Sequence, residues 1–151
     1  MWTAPVRHRR ARRTDLDSIR DILSASGLTA PDSDRAALRR FRRIVADLGS
    51  DLYVAVADEQ VIGVAHITYS RQLGGPPHGC LALLAVRPDA RRHGVGKDLA
   101  ALATARARRR GCSVLSTSSI GPAHDGRGFL AAIGWRAAGE AFMLELGNPA
   151  P

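Results

Sequence analysis

An α/β fold, α+β by looser naming, is predicted for this 151-residue chain by three observations. β-rich runs alternate with helical patterns in the order β α α β β β α β α β β. One run, Leu81–Val86, is apolar at every position, which marks a strand in the centre of a sheet. That run passes through a basic glycine turn into a long helical pattern and then another strand. A strand, a crossover helix and a second strand imply a parallel pair within a mixed sheet. The length fits one domain, residues 1–151, with no repeat and no linker.

The elements follow from local pattern. Val6–Ala11 is short and basic, as an edge strand should be. Thr14 or Asp15 is the expected N-cap of a first helix, with Leu16, Ile19, Ile22 and Leu23 at helical spacing and Gly27 closing it. Asp32, Ser33 or Asp34 caps a second helix. Its apolar face is Ala37, Leu38, Phe41, Ile44, Val45 and Leu48, its arginines lie on the opposite face, and Gly49 follows it. Leu52–Ala57 and Val61–Tyr69 form a hairpin around Asp58-Glu59-Gln60. The Gly/Pro-rich stretch Arg71–Gly79 reads as a mobile loop. After the central strand comes a helix over Lys97–Arg110, closed by Gly111, then a strand over Ser113–Ser118. A short helix over Asp125–Ile133 ends at Gly134, and Trp135–Ala138 with Ala141–Leu146 forms a terminal hairpin around Gly139-Glu140.

Apolar residues are 45% and charged residues 24%, ordinary for a globular protein. No apolar run is long enough to span a bilayer, and the first residues lack the apolar core of a secretory signal. A soluble, cytoplasmic protein with no membrane contact is expected. Cys80 and Cys112 form no Cys-x-x-Cys pair and no zinc spacing, so reduced, half-buried thiols and no metal are expected. The net charge of +8 favours anionic partners, and Lys97 is the only lysine among the basic residues.

Arg91-Arg92-His93-Gly94-Val95-Gly96, between the central strand and the long helix, carries the chemistry. Glycines let backbone approach a ligand closely. The free N–H groups of a helix's first turn, and its dipole, favour a phosphate there. A plain surface turn is the alternative.

This region resembles the GNAT superfamily of acetyl-CoA-dependent N-acetyltransferases. Arg91, Gly94 and Gly96 meet its Arg/Gln-x-x-Gly-x-Gly/Ala signature, Val86-x-Pro88-Asp89 precedes it and Leu99 follows. Gly128–Trp135 looks like the family's C-terminal "FYEKLGF"-type element, and Val61-Ile62-Gly63 like its third strand. The resemblance runs from about Val6 to Leu146. It implies a mostly antiparallel sheet whose parallel pair splays apart at the cofactor, flanked by helices. It also implies acetyl-CoA as co-substrate. The pyrophosphate would lie on the backbone of Arg92, His93, Gly94, Val95, Gly96 and Lys97, with Arg91 and Arg92 adding charge. The pantetheine arm would run along Leu84, Ala85 and Val86, and Phe129 of the C-terminal element would complete the cofactor site. An amine would attack the thioester directly, with an N–H near Val86 stabilising the oxyanion, and neither cysteine would be a nucleophile. Many relatives dimerise, so a homodimer is a further expectation.

The pattern departs in two places. Leu130 occupies the position of a Tyr that often protonates the leaving thiolate, and the central strand carries no carboxylate base. Candidate bases are His66 and Tyr69 on the third strand, His78 in the loop, and His124 or Asp125. Ser116–Ser119 are candidates for orienting substrate. Three functions stay open: an N-acetyltransferase for a small-molecule or protein amine, a non-catalytic acetyl-CoA sensor, and a nucleic-acid module. The +8 charge and the Arg7–Arg13 cluster motivate the last, while 5% aromatics and the lack of a binding motif argue against it.

Overall fold

The computed structural model describes residues 2–28, 33–117, 125–139 and 144–147, and the backbone but not the side chain of Asp125. Among these, β1 (Arg7–Arg10) is followed by a 3₁₀ turn, α1 (Leu16–Ala25) and α2 (Asp34–Ala46). Then come β2 (Asp51–Ala57), β3 (Gln60–Gln72), β4 (Gly75–Val86), α3 (Val95–Arg109), β5 (Val114–Ser116) and α4 (Asp125–Ala132). The described strands form one sheet in the order β1-β2-β3-β4-β5. Every pairing is antiparallel except β4 with β5, which is parallel as the crossover helix requires.

Each sheet face buries a helical layer. Val95, Leu99 and Ala103 of α3 pack with Ala55, Ala65, Ile67 and Leu81 on one face. Ile19 and Ile22 of α1 and Phe41 of α2 pack with Leu52, Val54, Val64 and Ala85 on the other. A Cβ at Gly63 would lie 2.9 Å from Leu99 Cδ1, so this glycine lets α3 sit close against β3. Burying a side chain such as Leu99 stabilises the fold by about 1.5–3 kcal/mol.

The second helix begins as the sequence reading allows: the Ser33 hydroxyl accepts from the Ala36 amide. It ends earlier than expected. Asp47 is extended at ψ 109, so Leu48 leaves the apolar face and is 81% exposed. Asp15 stands at the N-cap of the first helix, as expected, but its side chain makes no cap hydrogen bond there. Its carboxylate turns back to the Arg12 amide and the Arg9 guanidinium, which hold it below the usual carboxylate range. The third helix starts two residues earlier than expected, at Val95.

Residues 71–79 are not a loop. β3 and β4 continue as a hairpin to Gln72 and Gly75, with only Leu73 and Gly74 in the turn. Pro76 and Pro77 lack N–H donors, and the register shifts there, between Ser70 and Gln72. The terminal hairpin is not seen in the described residues either. Residues 135–139 and 144–147 carry no strand, and the rest of that stretch lies outside the described residues, as do 118–124. Among the described residues, no helix is long and apolar enough to cross a membrane.

One buried carboxylate ties the layers together. Asp51, at the start of β2, is 0% exposed. It accepts from Tyr69 Oη of β3 at 2.6 Å and Arg10 Nη1 of β1 at 2.7 Å. From the far end of α3, Arg106 donates at 3.2 and 3.3 Å and Arg110 at 3.2 Å. Burial alone would raise its pKa. The hydrogen bonds from Tyr69, Arg106 and Arg10 outweigh that and hold the carboxyl well below the usual range. Burial and the bond to Asp51 push the Tyr69 phenol up. A carboxyl depressed in the folded state stabilises the fold fully above its unfolded pKa of about 3.9. That stabilisation is lost as pH falls through the folded value. Asp51→Asn is expected to cost about 2–4 kcal/mol at pH 7, and to leave less stability to be lost on acidification. Urea unfolding at pH 7 and pH 3 measures both.

Candidate active site

β5 pairs with β4 only at His78, Gly79 and Cys80, and Thr117 Oγ1 closes the contact by donating to the Leu81 carbonyl at 2.8 Å. The residues that follow Thr117, 118–124, lie outside the described residues. The register of β4 on β3 also changes: His66 faces Leu83 but Ile67 faces Leu81, which leaves Ala82 as the extra residue of a bulge. The bulge reverses the side-chain alternation, so Leu81 joins the α3-side core while Leu83 packs on the α1–α2 side.

Backbone direction along the rest of β4 follows from one bond. The Arg87 amide donates to the Ile62 carbonyl at 2.8 Å. Alternation in an antiparallel pair then turns Ala85 and Leu83 toward β3, and Leu84 and Val86 away from it. Leu84 thus presents N–H and C=O, and Val86 its N–H, on an edge that no strand among the described residues occupies. The Val86 carbonyl accepts from Arg91 Nε at 3.1 Å, while Arg91 Nη2 reaches Ser26 Oγ at 3.2 Å. Arg91 therefore fastens the loop to β4 and to the end of α1.

The loop forms a concave cradle. Arg92 and Gly94 are left-handed, at φ 65° and 83°. Gly94 is the N-cap of α3, and its carbonyl accepts from the Asp98 amide at 3.0 Å. Among the described residues, the amides of Arg92, His93, Gly94, Val95, Gly96 and Lys97 donate to no protein acceptor. Successive free amides of this kind, at the head of a 15-residue helix, are an arrangement that suits an anion. Arg92, His93 and Lys97 are exposed around it, whereas the Val95 side chain is buried in the core. Gly96 faces α4: a Cβ there would stand 3.3 Å from Phe129 Cζ and 3.7 Å from Val86 Cγ2. Open β4 edge, cradle and α4 thus meet at one corner.

The candidate bases are dispersed. His66 is on β3 beside the bulge, on the α1–α2 side, with its Nε2 buried and without a hydrogen-bond partner among the described residues. Burial lowers its pKa, partly offset by the charge of Asp47. Tyr69 is engaged by Asp51, with the Arg110 guanidinium 4.7 Å from its ring centre. His78 is exposed on β4, opposite Ser70 and Val114. Leu130 is half-buried in α4, and Ser116 ends β5. Ser118, Ser119 and His124 lie outside the described residues. Cys80 and Cys112 are unpaired and half-buried, and no group of metal-ligating side chains exists among the described residues. Sequence reasoning missed Ser26 and Asp51. A buried aspartate heading an apolar strand, with arginines four apart on a helix, was a signal for the second.

An open strand edge that runs into a cradle of free amides is the arrangement the family signature implies, and the Acetyltransferase (GNAT) family profile matches residues 16–134. The chain belongs to the GNAT acetyltransferase family. A transcriptional regulator from Bacillus halodurans C-125 superposes with a TM-score of 0.85 at 23% identity, over 94% of this chain and 100% of that one. A ribosomal-protein-alanine N-acetyltransferase from Brucella melitensis biovar Abortus 2308 gives 0.77 at 17% identity, over 95% and 100%. The aminoglycoside N-acetyltransferase AAC(6′)-Iy, solved with CoA, gives 0.80 at 19% identity, over 95% and 96%. These likenesses establish a shared fold. No curated protein sequence matches the chain.

Within this GNAT fold, Gly96→Val is expected to push Phe129 away and cost about 1–3 kcal/mol by overpacking. Thermal unfolding should show the loss, and Phe129→Ala in the same chain should recover part of it.

Proposed function

We propose that this chain is an N-acetyltransferase which moves an acetyl group from acetyl-CoA to a primary amine of a small molecule or a protein, within one domain and in the cytoplasm. The observation that carries this reading is the open Leu84–Val86 edge running into the amides of Arg92–Lys97. The edge suits an extended chain bearing its own amides, as the pantetheine arm does. The cradle suits a pyrophosphate, and the exposed Arg92 and Lys97 suit its charge. Phe129 would border the cofactor beside Gly96.

In the proposed reaction the amine nitrogen attacks the thioester carbonyl carbon. The Val86 N–H would donate to the oxyanion that develops. The C–S bond then breaks, CoA leaves as thiolate, and the acetylated nitrogen loses its proton. His66 is proposed as the base. Its buried Nε2 has no hydrogen-bond partner among the described residues, so a small opening of the α1–α2 side would be needed to bring it to substrate, and burial favours the neutral imidazole that can accept a proton. Leu130 cannot protonate the thiolate, so that proton would come from water. The small-molecule acceptor draws support from the aminoglycoside enzymes among the structural neighbours, and the protein acceptor from the ribosomal-protein enzyme. Leu130 also favours a second reading, a non-catalytic acetyl-CoA sensor, which tight binding without turnover of any amine would establish.

Calorimetry is expected to show acetyl-CoA binding by the wild type, weakened at least about tenfold in Gly94→Glu, because the new carboxylate repels the pyrophosphate and its backbone is strained at positive φ. No binding by the wild type would refute the proposal. With an amine that turns over, His66→Gln should lower kcat by about 100-fold or more. The wild-type profile should carry a histidine inflection below pH 6.5 that the variant lacks.

A further inference from the structure

We infer that the segment Trp2–Ala4 is a strap that holds the glycine loop in its anion-binding shape, with Trp2 and Asp58 as positioning residues. The inference rests on the acetyl-CoA reading of that loop.

The loop needs support because of Arg92. At φ 65° this residue is left-handed without being glycine, a conformation its Cβ disfavours. The next side chain spans the strained position. His93 Nδ1 lies 2.7 Å from the Arg91 carbonyl, so with Nδ1 protonated the imidazole donates back across Arg92 and closes a small ring over it. His93 is exposed, and an exposed ring making a single hydrogen bond rotates easily. The Trp2 indole stands against it, with ring centres 5.6 Å apart and planes tilted by 59°, a favourable aromatic arrangement. Trp2 itself is half-buried against the α3-side core.

Asp58 anchors the strap. Its carboxylate accepts from the Thr3 amide at 2.9 Å, the Thr3 hydroxyl at 3.0 Å and the Ala4 amide at 2.9 Å. Asp58 and Glu59 form the two-residue turn between β2 and β3 with φ of 47° and 61°, the left-handed pair of a type I′ hairpin. Aspartate tolerates this conformation better than most residues, and here its side chain also binds the strap. The chain of contacts runs from hairpin turn to strap to indole to imidazole to Arg92, and so reaches the amides proposed to bind the pyrophosphate.

The test uses the full chain and two measurements. Hydrogen exchange of the ligand-free protein is followed in residues 91–97 and, as reference, in β2. Acetyl-CoA affinity is read by calorimetry. Trp2→Ala and Asp58→Ala are each expected to speed exchange in 91–97 with β2 unchanged, and to raise the Kd for acetyl-CoA by about 3- to 10-fold, the scale of one aromatic contact. Trp2→Phe, which keeps a ring, should restore most of the affinity. If Trp2→Ala leaves exchange in 91–97 and the Kd as in the wild type, the strap has no such role. If exchange rises equally in β2, Trp2 merely covers the core and the inference also fails. Failure of the wild type to bind acetyl-CoA would overturn the proposed function, while the exchange data would still decide whether the strap holds the loop.

Discussion

The buried Asp51 carboxylate is the constraint on which the arrangement depends. Four donors from three separate elements converge on it: Arg10 from β1, Tyr69 from β3, and Arg106 and Arg110 from α3. A carboxylate with no exposure cannot stay ionised without such partners. The cluster therefore forms as a whole and fixes the C-terminal end of α3 against the sheet. The helix is rigid, so pinning one end, with Leu99 and Ala103 packed along its length, also places the other. That other end carries the cradle of free amides. The cluster stands at the opposite end of α3 from the proposed chemistry and sets its geometry nonetheless.

The second constraint is the short pairing of β4 with β5. A fully paired strand would satisfy the backbone of Leu84 and Val86 and leave nothing for a ligand. Among the described residues β5 pairs with β4 only as far as Ser116, the bulge at Ala82 reorients β4, and no described strand takes up those groups where β4 enters the loop. Arg91 joins the two parts by donating to Val86 and Ser26. Both acceptors are uncharged, so Arg91 keeps its positive charge and stands with the exposed Arg92 and Lys97 beside the cradle.

Much of this was legible in the sequence. The apolar run of β4, the glycine turn and the helical pattern after it have strong local signatures, and the spacing of Arg91, Gly94 and Gly96, weak alone, gains its meaning from standing between that strand and that helix. What was not legible depends on partners distant in the chain. The stretch 71–79 looked like a loop because Gly and Pro usually break strands, but pairing with β3 overrides that preference when a register shift accommodates the prolines. Leu48 fitted the apolar spacing of α2, yet the extended backbone of Asp47 ends the helix before it.

Sequence by itself determined the mixed fold class and the order of most of its elements, because periodicity, glycine placement and helix ends are local properties of the chain. Tertiary structure decided which polar groups are left open. That Tyr69 belongs to Asp51, that His66 keeps a buried nitrogen without a partner among the described residues, and that Trp2 stands against His93 all depend on side chains brought together from distant positions. Hydrogen bonds and burial are settled only when the layers pack. A residue's availability for chemistry is therefore a property of the fold, even where its identity is plain in the chain.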